Sequence, residues 1–353
     1  MITTASEHVD LRTLPYTAER QPLWQDLVAR VDPPAWHADP RCLAAICEGL
    51  RHRAYVVEAS REGRVVGYLP LALVESLLFG RFLVSLPYVN SGGVLAEDPE
   101  CEPGLIGEAV RLADELDVRY LELRHETARP HPALTRNLNC KVHMRLELPR
   151  TAGALWESFK PKVRNQIRKG QKQGFTVHWG GEELLGDFYA VFSRNMRDLG
   201  TPVFGRRLFR SILTHFPDEA ELCTVRLGRR ALAAALLVHG RWCTEVPSAS
   251  SLKKCNSTNV NMLMYWQLLS RSIERGQRVF DFGRSSPESN TYRFKKQWGA
   301  KPVSAVWQYY VRKGDARDMR IESGKYDRWI SIWRKLPVTL TRWLGPAIVR
   351  GIP

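Results

Sequence analysis

Asp281, Arg284, Ser285, Tyr292 and Lys295 fall within one short stretch, Arg278–Gly299, reading RVFDFGRSSPESNTYRFKKQWG. Asp281 lies in an apolar strand, Val279–Phe282, which runs into Gly283 and a polar loop. A strand end followed by such a loop is where α/β folds place their binding and chemistry. Tyr292 and Lys295 are three residues apart and share one face of a short helix, whereas Phe294 and Trp298 form a second face suited to packing. A carboxylate, a phenol and an amine at a strand end could accept or give a proton or hold a charged group. Asp281 is equally suited to a plain ion pair with Arg284 or Lys295. His239 and Glu245 are further candidate bases, with a buried and satisfied imidazole the simpler reading of His239.

A second set of residues suits anion binding. Phe159–Gly174 holds Lys160, Lys162, Arg164, Arg168, Lys169 and Lys172 without an acid among them. Arg164 and Arg168 are four apart on one helical face, which Lys160 extends by a turn, and like charges so placed repel. A bound anion offsets that repulsion, and arginine forks fit phosphate in a bidentate way. Asn259, near the start of a later helix, is available for substrate contact or for capping.

The charge distribution agrees. The formal net charge is +15, but residues 1–149 hold 16 Lys and Arg against 21 Asp and Glu, a net of −5. Residues 150–353 hold 36 against 16, a net of +20. Phosphates, RNA and an anionic membrane surface are all partners of the right sign. Seven cysteines without a C-x-x-C pair and an N-terminus without a basic, then apolar, leader fit a cytoplasmic protein. The histidines show no metal-ligand spacing, and neither a P-loop nor a G-x-S-x-G elbow occurs. No metal and no permanently bound cofactor is therefore expected.

These residues must be positioned by an α/β framework. Tyr55–Leu71 predicts a hairpin turning at Glu62-Gly63. Strands follow at 81–94, 118–123 and 142–148, with a helix over Glu102–Leu116. The second half repeats the plan. It has helices over Trp156–Gly174 and Phe188–Leu199 and a hairpin turning at Gly228. A strand at Trp242–Val246, a helix at Thr258–Arg275, the strand at Val279–Phe282 and a last strand at Val303–Val311 complete it. The division is expected at residue 149/150, giving domains 1–149 and 150–314 and a basic, tryptophan-rich tail, 315–353.

Three motifs carry a family resemblance. Lys162, Arg164, Ile167, Arg168, Lys169, Lys172 and Gly174 follow the pattern K-x-R-x-x-I-R-K-A-x-K-x-G, with Gly170 at its small position. Asp281-Phe282-Gly283 is followed by Phe294-Lys295-x-x-Trp298-Gly299, and Pro87–Gly93 reads P-Y-x-N-x-G-G. In this order they resemble the FemAB-like acyltransferases of the GNAT superfamily. The nearest resemblance is to the members associated with exosortase/PEP-CTERM exopolysaccharide systems. The resemblance implies two GNAT-like domains with mixed sheets. It also implies transfer of an acyl or aminoacyl group to an amine of an anionic peptidoglycan or exopolysaccharide precursor, nucleotide- or lipid-linked. Lys160, Arg164, Arg168, Asn259, Arg284 and Ser285 would bind substrate beside Asp281, Tyr292 and Lys295. The segment Pro247–Asn259 lacks the glycines of the usual GNAT pyrophosphate loop, although Lys253, Lys254 and the following helix start suit a phosphate. The co-substrate is thus open between acyl-CoA and aminoacyl-tRNA. The alternative is a non-catalytic module of the same fold that binds RNA or anionic lipid. The tail 325–353 either contacts the inner face of the membrane peripherally or packs on the first domain.

Overall fold

The computed structural model describes residues 9–33, 35–314 and 327–352. The first part of the chain supplies β1 (Asp10–Pro15), α1 (Gln21–Val31), α2 (Pro40–Leu50), β2 (Arg53–Arg61), β3 (Arg64–Ser76), β4 (Gly80–Val84), β5 (Leu95–Ala96), α3 (Glu102–Glu115), β6 (Tyr120–His125), β7 (Arg136–Leu138) and β8 (Val142–Glu147). The second part continues with α4 (Ala152–Ser158), α5 (Pro161–Gln171), β9 (Thr176–Gly180), α6 (Leu185–Leu199), α7 (Arg206–His215), β10 (Ala220–Leu227), β11 (Arg230–His239) and β12 (Cys243–Ser251). The last elements are α8 (Val260–Glu274), β13 (Val279–Ser285), α9 (Asn290–Gln297), β14 (Lys301–Ser304), β15 (Val306–Val311), α10 (Asp327–Lys335) and α11 (Val338–Val349).

Two mixed sheets form. One runs β1-β2-β3-β4-β6-β15-β7, with β5 beside β3; the other runs β14-β8-β13-β12-β11-β10-β9. Each sheet borrows a strand from across residue 149/150. β8 pairs antiparallel with β13 and β14 in the second sheet, and β15 pairs with β6 and β7 in the first. The expected division follows the chain but not the sheets. Strand alternation reveals a strand and its buried face, not the neighbour it will choose.

The two units are also fused by their cores. One apolar cluster takes in Trp24, Ile46 and Val56 from the first part together with Phe188, Phe209, Leu236 and Trp298 from the second. Helix α2 crosses α7 so closely that a Cβ on Gly49 would stand 2.6 Å from the Leu208 Cα. Arg41 bridges Asp39, Glu219 and the His215 carbonyl at the same junction.

The hairpin β2–β3 turns as expected at Glu62 and Gly63, both at positive φ. Several boundaries differ from expectation, among them the strand expected over Val303–Val311, which is two strands, β14 and β15, in different sheets. The helix expected over Trp156–Gly174 is two, because Pro161 begins α5 and holds Lys160 extended at ψ 148°. β12 extends to Ser251, past the expected end at Val246, and a 3-10 turn, Lys253–Thr258, precedes α8. Asn259 occupies the N-cap position of α8 at φ 57° without a side-chain capping bond. The tail packs mainly on the second unit: Gly345 of α11 meets the backbone of Val203, and Ile330 of α10 meets Gly200. Its end reaches the first unit, where Gly351 meets Ser76.

Candidate functional site

β12 and β13 lie side by side and parallel, yet only Cys243, Thr244 and Glu245 pair with Val279, Phe280 and Asp281. An irregularity in β12 opposite Leu236–Val238 falls at Val246 and Pro247, and proline has no N–H to give the ladder. Beyond this point the ladder between the two strands stops, and Pro247–Ser251 does not pair with Phe282–Ser285. In this gap Ser248 Oγ is 2.9 Å from the Tyr88 hydroxyl, and Ser250 Oγ accepts from Asn195 Nδ2 at 3.1 Å. Tyr88 arrives from the P-Y-x-N-x-G-G segment of the first unit, with a positive φ of 74° that a tyrosine adopts only when its surroundings enforce it. Its ring packs edge-on against Phe204 and Phe209. Asn90 Nδ2 lies 3.2 Å from where a Cβ on Gly283 would stand, so glycine keeps this approach open.

Lys295 projects from α9 toward the end of β13. Its Nζ donates to the carbonyls of Gly283 at 2.9 Å and Arg284 at 3.0 Å, and the side chain is buried. Burial lowers its pKa to about 8, against a smaller opposing effect of the Asp281 charge. An ammonium poised there can hand over a proton near neutral pH. Tyr292, one turn earlier, is buried, and its backbone N–H is capped by Ser289 Oγ at 3.2 Å.

Asp281 does not face a free cleft. Its Oδ2 accepts from Arg145 Nε at 2.9 Å and lies 3.2 Å from His143 Nδ1, while Oδ1 accepts from the Gly283 N–H at 2.7 Å. Burial by itself would raise its pKa, but the hydrogen bonds and charges of His143 and Arg145 outweigh it and keep the carboxylate ionised. With both oxygens engaged, Asp281 suits anchoring rather than the proton-accepting role expected of it, and it pairs with Arg145 and His143 instead of Arg284 or Lys295. His143 Nε2 is 2.9 Å from Ser91 Oγ, and Arg145 also pairs with Glu126. The Ser91–His143–Asp281 chain has the connectivity of a hydrolase triad. Ser91 is only 3% exposed, however, and also reaches Glu126 at 3.3 Å, so the chain ties the two units together. Sequence reasoning missed His143, Arg145, Ser91 and Glu126, since β8 gives no sign of pairing with β13. Glu245 is held by His37 at 2.8 Å, and His239 bridges Glu221 and Thr244, as a satisfied buried imidazole would.

Arg284 ends the same strand with its guanidinium 3.3 Å from the Trp307 ring centroid, and Arg124 lies over that ring at 4.0 Å. Among the described residues no carboxylate pairs with Arg284. Burial, then Arg124, lowers its pKa to about 10. The adjacent Ser285 hydroxyl is buried without a hydrogen-bond partner. A desolvated cation that shares the field of Glu122 with Arg124 and pairs with no carboxylate of its own suits an anionic group.

The basic helix is partly neutralised. Arg164 pairs with Glu157 of α4 at 2.9 Å, and Arg168 lies 5.3 Å from the Trp156 ring centroid. Lys160 lines a cavity of about 560 Å³ with Lys296, Trp298 and Lys301 near the first residues of β13, at the opposite end from the strand gap. At its other end α5 meets the start of α8: a Cβ on Gly170 would stand 2.9 Å from the Asn259 carbonyl, and Lys253 and Lys254 lie in the turn that precedes α8 in the chain. Helix N-termini with nearby cations suit phosphate. Among the described residues no cluster of His, Cys, Asp or Glu could hold a metal ion.

Residues 157–296 match a family model described as an acetyltransferase (GNAT) domain. No curated protein matches the chain. Among solved structures the chain is similar to FemX, at 15% identity over 85% of this chain and 97% of that one, with a TM-score of 0.63. It is also similar to L-PGS from Bacillus licheniformis, at 12% identity over 96% and 98% of the two chains, with a TM-score of 0.55. A tandem GNAT protein from the clavulanic acid biosynthesis pathway shares 14% identity over 87% and 100%, with a TM-score of 0.53. The fold is thus a tandem GNAT-like one, and the matched domain is of acyltransferase type.

Proposed function

We propose that the protein transfers an acyl or aminoacyl group to an amine of an anionic cell-envelope or exopolysaccharide precursor, in the gap between β12 and β13. The parting of these strands after three residue pairs, with Lys295 held at the gap by two strand carbonyls, carries this reading. The acceptor nitrogen attacks the activated carbonyl and forms the C–N bond. The bond from that carbon to the thiol sulfur or ribose oxygen of the donor breaks. Lys295 gives its proton to the departing anion, and the amine loses one to solvent. No covalent enzyme intermediate is needed. Arg284 and Ser285 would hold the acceptor's negative charge. The cations where α5 meets α8 would hold donor phosphate, whether of acyl-CoA or of aminoacyl-tRNA. FemX and L-PGS lend support as relatives in fold, and a cytoplasmic reaction follows from either donor.

The test is product formation from labelled acyl-CoA or aminoacyl-tRNA with a panel of amino-sugar nucleotides, lipid-linked muropeptides and amino-lipids. Transfer that requires Lys295 supports the reading. Salt-sensitive RNA binding with no transfer from either donor to any acceptor would sink it and leave the non-catalytic alternative.

A further inference from the structure

Most large apolar side chains left in water are gathered around the C-terminal helices. Nine are exposed among the described residues, and Trp329, Ile332, Leu340 and Trp343 belong to α10 and α11. Leu199 adjoins α10 through the contact of Gly200 with Ile330, and Leu77 and Leu78 follow Ser76, against which Gly351 packs. Both helices already have an inner apolar face. Ile330 meets Gly200, Trp333 is half-buried, and Thr341, Gly345 and Val349 are buried against the second unit. Trp329 with Ile332, and Leu340 with Trp343, are three-residue pairs that form a second, outward face, at 69% and 76% exposure for the two tryptophans.

The surrounding charge identifies what covers this face. From 327 to 353 the only acid is Asp327, against Arg328, Arg334, Lys335, Arg342 and Arg350. Arg342 reaches back to α6, donating from Nε to Ser193 Oγ at 2.7 Å. Arg342 and Arg206 flank the Tyr189 ring at 5.6 Å and 4.9 Å, and Arg194 adds a third guanidinium nearby. Among the described residues no carboxylate pairs with any of these three. Exposed tryptophans and aliphatics rimmed by uncompensated arginines match an anionic bilayer, whose interface takes indole rings while its phosphates take guanidinium groups. No helix among the described residues is long and apolar enough to cross a membrane.

We propose that α10 and α11, with Leu77, Leu78 and Leu199, form an interfacial docking surface for an anionic lipid membrane, and that Arg194, Arg206 and Arg342 bind a lipid phosphate beside Trp343. The test of this surface does not depend on acyl transfer. The measurement is flotation of the full chain with phosphatidylcholine vesicles and with vesicles containing about 30 mol % phosphatidylglycerol. Wild type should float with the anionic vesicles only, and less so at high salt. Trp329→Ser/Trp343→Ser and, separately, Arg206→Gln/Arg342→Gln should each lower the bound fraction by about fivefold or more. The tryptophans are exposed, so circular dichroism and melting temperature of the first variant should match wild type. Three outcomes would overturn the proposal. One is no flotation with either vesicle; another is flotation unchanged in both variants; the third is a dimer in solution that the tryptophan substitutions dissociate.

Discussion

Lys295 and Arg284 differ in what their surroundings ask of them. Lys295 is buried but hydrogen-bonded twice, and its pKa near 8 makes it mostly an acid at neutral pH. A proton donor of that pKa predicts that kcat falls as pH rises through about 8. In Lys295→Met this limb should vanish and kcat should drop by roughly 10²–10⁴-fold. A retained limb at the same pH would assign the titration to another group. Arg284 has no carboxylate to leave stranded, so Arg284→Gln should act on substrate rather than on folding. KM for the anionic acceptor should rise about tenfold with kcat little changed, as expected for binding uniform across the reaction. Asp281 is the opposite case. Asp281→Ala leaves Arg145 Nε and His143 Nδ1 without their partner, although Arg145 keeps Glu126, so a loss of about 3 kcal/mol in urea unfolding is expected.

At the scale of elements, two close approaches shape the site. Gly170 lets α5 rest on the first turn of α8, and an added methyl would press on the Asn259 carbonyl at 2.9 Å and the Leu263 Cβ at 3.0 Å. Alanine favours an isolated helix over glycine by about 1 kcal/mol. Here, Gly170→Ala should instead destabilise the protein by about 1–3 kcal/mol, read from the denaturation midpoint. A small residue was legible at that position from the motif, but its reason, a crossing helix, was not. The parting of β12 from β13 was equally hidden. Pro247 and the serines after it read as a loop in sequence, whereas they continue the strand along β11 and leave its other edge free.

The whole molecule is held together across the two units by buried polar contacts, and one of them is titratable. His37 of the first unit bonds Glu245 of the second. Burial alone would lower the His37 pKa, but the charge and hydrogen bond of Glu245, with a further contribution from Glu126 and against Arg145, raise it. A histidine with a raised folded-state pKa binds its proton more tightly in the native state. Its contribution is complete below the ordinary value of about 6.5 and is lost as pH climbs through the higher native value. Melting temperature should therefore show a downward step over this range, which His37→Gln removes.

Local reading of the residues reached many of the strands and helices, the charge asymmetry and the choice of Arg278–Gly299 as a candidate site. Those features rest on local periodicity, turn chemistry and composition, which need no knowledge of distant neighbours. Which side chains of that segment are tied to partners follows instead from long-range packing. The exchange of β8 and β15 between sheets brings Arg145 and His143 onto Asp281 and locks it. The same packing leaves Lys295 and Arg284 at the open strand end. Strand partners and the polar groups they bring are set by long-range pairing, and no short window of sequence encodes that choice.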